Sequence, residues 1–580
     1  MYLTHAPLAL IAPMSLSLLA RVPATRTPRF LSLIRLKRPS EWPLPVLVVL
    51  VAVWLASVGN TALWRQLASL PELVGTRGLL FEMGFGIWLT ALLTLVLSPV
   101  AWPQVFKPVA AALLLTAAGS THFMLAFSAV IDPSMLLNVM HTDTHEVADL
   151  LSPQLALTVL LVGVLPAWWL WQQPVRPVRW SHRLGHNVAL LAGALVVTGL
   201  VLVLMFQDFA SLMRNHKQVR YLINPLNTVY AVGRAAADTM PRSQRPLLPV
   251  GTDARLGTSY AGQKQAPLLV LVVGETARAA NFGLGGYARD TTPRLRELQA
   301  EGNLSYFTNV RSCGTNTQAS VPCMFSHHGK AAHESSDDRY ENLLDVLQRA
   351  GLGVVWIDNQ SGCKGVCDRV PSSKTRELKT PEWCAADECF DEVMLGDMQR
   401  QLAAMPPERK QRGVVLVLHQ MGSHGPAYHR RAPPALKVFS PECASNALQD
   451  CTREALVNTY DNSIRYTDHL LARTVEWLKA QDASTAMLYV SDHGESLGEN
   501  NLYLHGLPYA LAPVEQKHVP LLTWLSPAMQ QRTGVQAHCL NGQAQQPLTH
   551  DNLFHSVLGL MDVQTEAYRP QLDLFHACAS

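Results

Sequence analysis

Five long stretches in the first 210 residues contain no Asp, Glu, Lys or Arg. Each has about 20 or more residues, and at about 1.5 Å of helical rise per residue it crosses the roughly 30 Å hydrocarbon core of a bilayer. Tryptophans near several of their ends are typical of helices anchored at the membrane interface. The pattern therefore predicts five membrane-spanning helices, within residues 42–64, 83–106, 108–131, 150–175 and 187–206.

The hydrophobic pattern changes after about residue 265, where short apolar runs alternate with helical stretches. This alternation is typical of an α/β domain with a mainly parallel sheet between helices. Ligands of such sheets bind beyond the carboxyl ends of the strands. The predicted strands are 268–273, 305–310, 354–357, 414–418, 486–490 and 519–524, and the predicted helices are 292–301, 341–349 and 453–479.

Four segments follow from these patterns. Residues 1–41 form a cytoplasmic N-terminal arm, residues 42–207 form the five-span transmembrane domain, and residues 265–580 form an exported catalytic domain. Between them, 208–240 mixes apolar and basic residues and predicts an amphipathic helix on the membrane surface, with a plain connector as the alternative. The Pro-, Gly- and Ser-rich stretch 241–262 predicts a linker, so 208–264 is an amphipathic helix followed by a linker.

The basic residues predict the orientation, because Lys and Arg are retained on the cytoplasmic side of a membrane. The arm before the first predicted span has six basic residues, and the loop after the fourth has three. The loop 132–149, after the third span, has none. Five spans that begin inside end outside, so the domain after about residue 210 is exported. The composition agrees, since 48% of the residues are hydrophobic and only 16% are charged, which is more apolar than a soluble enzyme needs.

The ten cysteines support export independently, because all of them lie between Cys313 and Cys578. An even number confined to the exported part indicates disulfides in an oxidising compartment. Short spacings favour two local pairs, Cys313 with Cys323 and Cys443 with Cys451, while Cys363, Cys367, Cys384 and Cys389 offer two more. The alternative is a zinc site built on the two thiols of CKGVC (363–367).

Acidic and imidazole side chains follow several predicted strands directly. SDHGE (491–495) comes after an apolar run and supplies Asp492 and His493, and LLVLVVGETAR (268–278) ends in Glu275. These side chains can converge at one edge of the sheet. Oxygen and imidazole ligands without a thiolate suit Zn²⁺ in a catalytic role, in which one coordination position is given to the reacting group. The alternative for SDHGE alone is a turn with a surface histidine.

A catalytic zinc ion of this kind needs a nucleophile beside it. The loop SCGTNTQASVPC (312–323) is rich in hydroxyl groups, and both Thr315 and Thr317 are candidates. Coordination to a metal lowers the pKa of a hydroxyl and makes it an attacking oxygen. The competing role for either threonine is to cap the helix that follows.

Six motifs together closely resemble the phosphoethanolamine transferases that modify lipid A, a family that includes the mobile colistin resistance enzymes. The resemblance extends over the exported domain and fits the five-span anchor, and it implies membership of the alkaline phosphatase and sulfatase superfamily. The chain departs from the family in the roughly 40 residues before its first span. The motifs are VVGETAR, GYARDTTPRL, SCGTNTQASVPCMFS, HQMGSHGPAY, SDHGESLGE and YLHGLPYA.

The resemblance implies a role for each matching residue. It makes Thr317 the nucleophile, and it makes Glu275, Thr317, Asp492 and His493 the zinc ligands. Positions that bind the phosphoethanolamine group in the family correspond to Lys364, His424 and His505, and in some members the two histidines hold a second zinc ion. Either histidine could also protonate the departing diacylglycerol oxygen, which makes both of them catalytic candidates.

The expected protein is a zinc-dependent phosphoethanolamine transferase in the inner membrane of a Gram-negative bacterium, with its catalytic domain in the periplasm. Its donor would be phosphatidylethanolamine and its acceptor lipid A, with no nucleic-acid partner and as a monomer. The less anionic outer leaflet would bind polymyxin less well. Alternatives are transfer to a core heptose or a periplasmic glucan, a phosphoglycerol transferase, and a membrane-anchored sensor that has lost catalysis.

Overall fold

A computed structural model describes residues 41–140, 147–148, 150–378, 380–385 and 388–579. The predicted cytoplasmic arm lies almost wholly outside the described residues. Five helices within them have the length and apolar composition of membrane spans, so the predicted five-helix membrane part is confirmed. In chain order, spans 1 to 5 are Leu44–Ala68, Thr76–Val100, Phe106–Ala126, Pro153–Gln172 and Trp180–Leu204.

Two helices, and not one, connect the last span to the exported domain. They are Phe206–Asn215 and Leu226–Gln244, with a 3₁₀ turn at Lys217–Leu222 between them. Pro225 immediately precedes the second helix, and because proline disfavours a helical conformation in the residue before it, that helix does not extend back toward the turn. Helix Leu226–Gln244 also continues into the predicted linker, which shortens the irregular stretch before the domain.

The exported domain is built on a seven-stranded sheet. We number its strands along the chain, and their spatial order is β2-β7-β6-β1-β5-β3-β4. The five strands from β6 to β4 in that order are parallel, and β7 runs antiparallel to both of its neighbours, β6 and the edge strand β2. The mainly parallel sheet is therefore confirmed. Strands β1 to β7 are Pro267–Gly274, Leu304–Phe307, Gly353–Asp358, Ser372–Lys374, Val414–His419, Ser484–Ser491 and Leu521–Leu525.

Helices cover both faces of the sheet, which explains why the central strands are apolar at every position. In β1, Leu269, Leu271 and Val273 join the core on one face. Their neighbours Leu268 and Val270 join the core on the other. Burying one such side chain fully contributes about 1.5–3 kcal/mol. The helices of the domain are Pro293–Ala300, Thr317–Met324, Lys330–Ser335, Leu343–Ala350, Val393–Ala404, Pro407–Arg412, Arg453–Lys479, Pro527–Thr533, Ala537–Gly542 and Asp551–Leu560.

Short strands in the loops around this sheet are hydrogen-bonded in pairs. They lie outside the seven-stranded sheet and each strand has only two residues. The pairs are Leu247–Leu248 with Arg339–Tyr340, Arg255–Leu256 with Val563–Gln564, Val310–Arg311 with Leu548–Thr549, Cys384–Ala385 with Glu388–Cys389, and Ser496–Leu497 with Tyr503–Leu504.

All ten cysteines are paired in five disulfides. The two expected local pairs are present, and the thiols of CKGVC are joined to each other, so they are not available as thiolate ligands for zinc. The fifth disulfide closes the longest loop and ties the C-terminal end to the domain. The pairs are Cys313–Cys323, Cys363–Cys367, Cys384–Cys389, Cys443–Cys451 and Cys539–Cys578.

The C-terminal disulfide should stabilise the domain more than a short local one. Cys539 and Cys578 are 39 residues apart in sequence, whereas Cys443 and Cys451 are 8 apart. Loop-closure entropy predicts losses of about 4 and about 2.5 kcal/mol, respectively, when each pair is replaced by alanines. Thermal unfolding of the purified full chain should rank the double variants in that order, and equal melting temperatures would contradict the loop-length argument.

Candidate active site

Neighbouring parallel strands deliver three acidic or imidazole side chains to one point. Glu275 follows β1, and Asp492 and His493 follow β6, which is hydrogen-bonded to β1 in register up to Ser491 opposite Gly274. The carboxyl ends of parallel strands meet at the same sheet edge, so the side chains that follow them converge there. All three residues are completely buried. Each offers a ligand atom, and these atoms lie within 4.8 Å of one another.

The cluster has the donor set and the electrostatics of a metal site. His493 Nε2 lies 3.5 Å from Glu275 Oε1 and 3.4 Å from Asp492 Oδ2. The Oδ2 atom of Asp492 is buried and has no hydrogen-bond donor among the described residues. Two carboxylates buried side by side repel each other unless a cation lies between them. The residues therefore fit a bound metal ion.

Local contacts orient the histidine of this cluster. His493 Nδ1 donates a hydrogen bond to the Gly494 carbonyl oxygen at 2.9 Å, which fixes the tautomer and directs the Nε2 lone pair toward the carboxylates. Burial lowers the pKa of His493 to about 4, although the charge of Asp492 acts in the opposite direction. The ring is therefore neutral near pH 7, as a metal ligand must be.

Thr317, and not Thr315, faces the cluster. Thr317 is the first residue of helix Thr317–Met324, and its Oγ1 lies 3.3 Å from both carboxylate oxygens of Glu275 and 3.5 Å from His493 Nε2. The Thr315 hydroxyl donates instead to the Leu507 carbonyl oxygen at 2.6 Å. The capping role belongs to Asn316, whose side chain accepts from the Ala319 N–H. The hydroxyl that lies beside the cluster is therefore that of Thr317.

Two more predicted residues, His505 and His424, lie beside this cluster. The ring of His505 is 4.3 Å from that of His493 and 5.8 Å from that of His424, measured between centroids. Burial lowers the pKa of His424 well below its ordinary value, and the charges of His505, Arg431, His493 and Lys364 add to the effect. Lys364 is near enough for this influence, and its Nζ donates to Ser361 Oγ at 2.8 Å. The contacts thus bring six of the predicted site residues together, and Lys364 contacts Ser361.

Sequence reasoning assigned no role to three buried side chains that support the site. Glu495 is completely buried, and its Oε1 lies 3.3 Å from His505 Nδ1. Asp391 accepts from the N–H groups of Met421 and Gly422, in the loop that leads to His424. His419, at the end of β5, lies near Glu275. Glu495 stands in the SDHGE motif and could have been found there, whereas Asp391 has no motif around it.

The membrane part contacts the loop that carries His505. Ser128, just after span 3, donates from its hydroxyl to the Asn501 carbonyl oxygen at 2.7 Å. Val130 packs in one buried apolar cluster with Leu507 and Ala512. The site therefore lies next to the end of span 3.

A mainly parallel sheet with Glu, Asp and His at its strand ends, and with a hydroxyl residue at a helix start beside them, defines a protein of the alkaline phosphatase and sulfatase superfamily. The Sulfatase family profile accordingly matches residues 267–563. The profile described as "Phosphoethanolamine transferase EptA/EptB" matches residues 89–240.

Full-length relatives identify the family within that superfamily. The chain is 38% identical over 550 residues to the phosphoethanolamine transferase EptA of Escherichia coli K12, covering 94% of this chain and 98% of the relative. It is 35% identical over 535 residues to the phosphatidylethanolamine transferase Mcr-1 of Escherichia coli, covering 90% and 95%. The chain belongs to the phosphoethanolamine transferase family.

A solved structure supports the whole architecture. The integral membrane protein lipooligosaccharide phosphoethanolamine transferase A from Neisseria meningitidis matches with a TM-score of 0.87 and 36% identity, covering 92% of this chain and 98% of that one. The predicted localisation is thereby confirmed: a multi-pass protein of the Gram-negative inner membrane with its catalytic domain in the periplasm. The five disulfides agree, since disulfides persist in oxidising compartments such as the periplasm.

Asp391 should be essential for holding the His424 loop. Replacing it with alanine leaves the N–H groups of Met421 and Gly422 and the Asn359 amide without their buried acceptor. Unpaired buried donors cost about 1–3 kcal/mol each, so we expect a loss of at least about 3 kcal/mol of stability. Asp450→Ala, at an exposed position, is the matched control. A similar melting temperature for both variants would contradict this role.

Proposed function

We propose that this enzyme transfers phosphoethanolamine from phosphatidylethanolamine to lipid A by way of Thr317. The observation that carries the proposal is the Thr317 hydroxyl beside three buried ligand-type side chains, Glu275, Asp492 and His493. The names of the relatives support the donor and the group transferred, and a more distant relative, 28% identical, is named Kdo(2)-lipid A phosphoethanolamine 7''-transferase.

Zn²⁺ is the proposed metal, because carboxylate and imidazole ligands in this number are typical of catalytic zinc sites. Glu275, Asp492, His493 and Thr317 would hold it, and when bound it would supply positive charge that favours an ionised hydroxyl and stabilises a phosphoryl oxygen. The neutral ring of His493, with its Nε2 turned into the cluster, is ready to bind a metal without first losing a proton.

The transfer takes two displacements at phosphorus. In the first, Thr317 Oγ1 forms a bond to the donor phosphorus, and the bond from phosphorus to the diacylglycerol oxygen breaks. Thr317 Oγ1 gives up its hydroxyl proton as it attacks, and His505 or His424, once protonated, gives a proton to the diacylglycerol oxygen, which leaves as an alcohol. In the second, a phosphate oxygen of lipid A attacks the same phosphorus, the bond from phosphorus to Thr317 Oγ1 breaks, and Thr317 takes back a proton. Lys364 offsets negative charge on the phosphoryl oxygens in both steps.

Lipid A is the acceptor that the position of the site favours. The contacts of Ser128 and Val130 hold the His505 loop next to the end of span 3, so both lipids can be reached from the same leaflet. Each added ammonium group makes the outer leaflet less anionic, and we propose that this reduces binding of polymyxin. Products with a modified heptose or glucan, or with phosphoglycerol, would identify the other acceptors and donors.

Thr317→Ala should abolish transfer, because it removes the only oxygen of the residue that can attack phosphorus. Thr317→Ser, which keeps a hydroxyl, should retain part of the activity. Thr315→Ala should remain active, because that hydroxyl bonds to the Leu507 backbone and does not face the cluster. Mass spectra of lipid A from a host expressing each variant provide the test. Modified lipid A with Thr317→Ala, together with none with Thr315→Ala, would show that the wrong hydroxyl was chosen.

Substitutions at the proposed metal ligands and at the proposed substrate-binding residues should differ in their effect on zinc content. Alanine at Glu275, Asp492 or His493 should lower zinc content and transfer together, because a site short of one ligand binds the ion less tightly. Alanine at Lys364 or His505 should lower transfer while zinc content stays near wild type.

Metal analysis of the purified full-length variants measures this difference, and His424→Ala reports on a second metal ion. Unchanged zinc in Asp492→Ala with complete loss in Lys364→Ala would reverse the assignment.

A further inference from the structure

Three buried side chains form a line across adjacent strand ends of the sheet. Asp358 ends β3, His419 ends β5, and Glu275 follows β1, which is the next strand along. The register aligns them, because His419 is opposite Asp358 on one side and opposite Val273 on the other. Glu275 belongs both to this row of three residues and to the cluster with Asp492 and His493. Neither Asp358 nor His419 has a role in the proposed transfer steps.

His419 is held firmly on one side only. Its Nδ1 lies 2.8 Å from Asp358 Oδ1, and its ring packs edge to face against Trp356 with the centroids 5.3 Å apart. Asp358 is itself fixed, since its Oδ2 accepts from the Gly362 N–H at 2.8 Å. The imidazole ring therefore has little freedom to rotate, and the direction of its Nε2 atom is fixed.

That other nitrogen faces Glu275. His419 is completely buried, and its Nε2 makes no hydrogen bond to any described residue, yet it lies 3.9 Å from Glu275 Oε2. A buried nitrogen without a partner is unfavourable and requires an explanation. A movement of about 1 Å would bring the two atoms to hydrogen-bonding distance. His419 is not part of the group whose ligand atoms lie within 4.8 Å of one another.

We propose that His419 is a positioning residue for Glu275. With a proton on each ring nitrogen, His419 donates from Nδ1 to Asp358 and from Nε2 to Glu275 Oε2 in the working enzyme, so the ring bridges the two carboxylates. The bond fixes one carboxylate oxygen and leaves Oε1, which is the oxygen nearer to His493, for the metal. Side chains that orient metal ligands in this way typically contribute 10–100-fold to metal affinity. The inference rests on the proposed zinc site.

Two amide substitutions separate this role from simple packing. In His419→Asn the amide lies near the position of Nδ1, so it keeps the contact with Asp358 and loses the contact with Glu275. In His419→Gln the amide nitrogen reaches the position of Nε2 and can still donate to Glu275. If His419 only filled space and satisfied Asp358, the asparagine variant would be the better substitute. Positioning of Glu275 predicts the opposite order.

The measurement is the zinc affinity of the purified full-length chain in detergent, determined by competition with a chelating dye. We expect about 10–100-fold weaker binding for His419→Asn, with His419→Gln closer to wild type. Asp358→Asn should weaken binding in the same direction and provides a second test if His419→Asn fails to fold. The melting temperature of each metal-free variant controls for folding.

Each outcome decides the proposal. Wild-type affinity in His419→Asn, or a tighter site in that variant than in His419→Gln, would overturn it. Loss of zinc from both variants to the level of Asp492→Ala would make His419 a direct ligand and would also overturn it. A folded wild-type chain that binds no zinc would refute the proposed zinc site itself, and the two failures are therefore distinguishable.

Discussion

The burial of two carboxylates side by side is the constraint on which the site depends. Glu275 and Asp492 have no exposed surface, and their mutual repulsion in a region of low dielectric requires a cation or a proton. The neutral ring of His493 adds a third ligand-type atom without adding charge. Thr317 lies within reach of the same cluster, so an ion held there would also act on the hydroxyl that we propose as the nucleophile.

The rest of the domain holds this cluster in place. Parallel strands in register bring Glu275 and Asp492 to one edge, and helix Thr317–Met324 brings the hydroxyl to it. Asp391 fixes the loop before His424, and the end of span 3 contacts the loop of His505. The membrane part is therefore more than an anchor, since it contacts a loop that takes part in the proposed chemistry.

The sequence predicts the helices and strands better than it predicts which side chains contact one another. Helix Arg453–Lys479 has the predicted limits, because long amphipathic patterns and uniformly apolar strands are strong local signals. The positions of Glu275 and Asp492 follow from the rule for parallel strand ends. The residues alone leave the choice between Thr315 and Thr317 open, and before the structure only the family resemblance favoured Thr317. The contacts of the two hydroxyls, and the neighbourhood of His419 and Glu275, depend on long-range packing that leaves no local pattern in the sequence.

Anomalous diffraction at the zinc edge, from crystals of the zinc-loaded full-length protein, tests the central claim most directly. The account predicts a strong peak in contact with Glu275, Asp492, His493 and Thr317. A peak elsewhere, with these four side chains holding no ion, would contradict the claim that buried carboxylates at the sheet edge create the catalytic metal site.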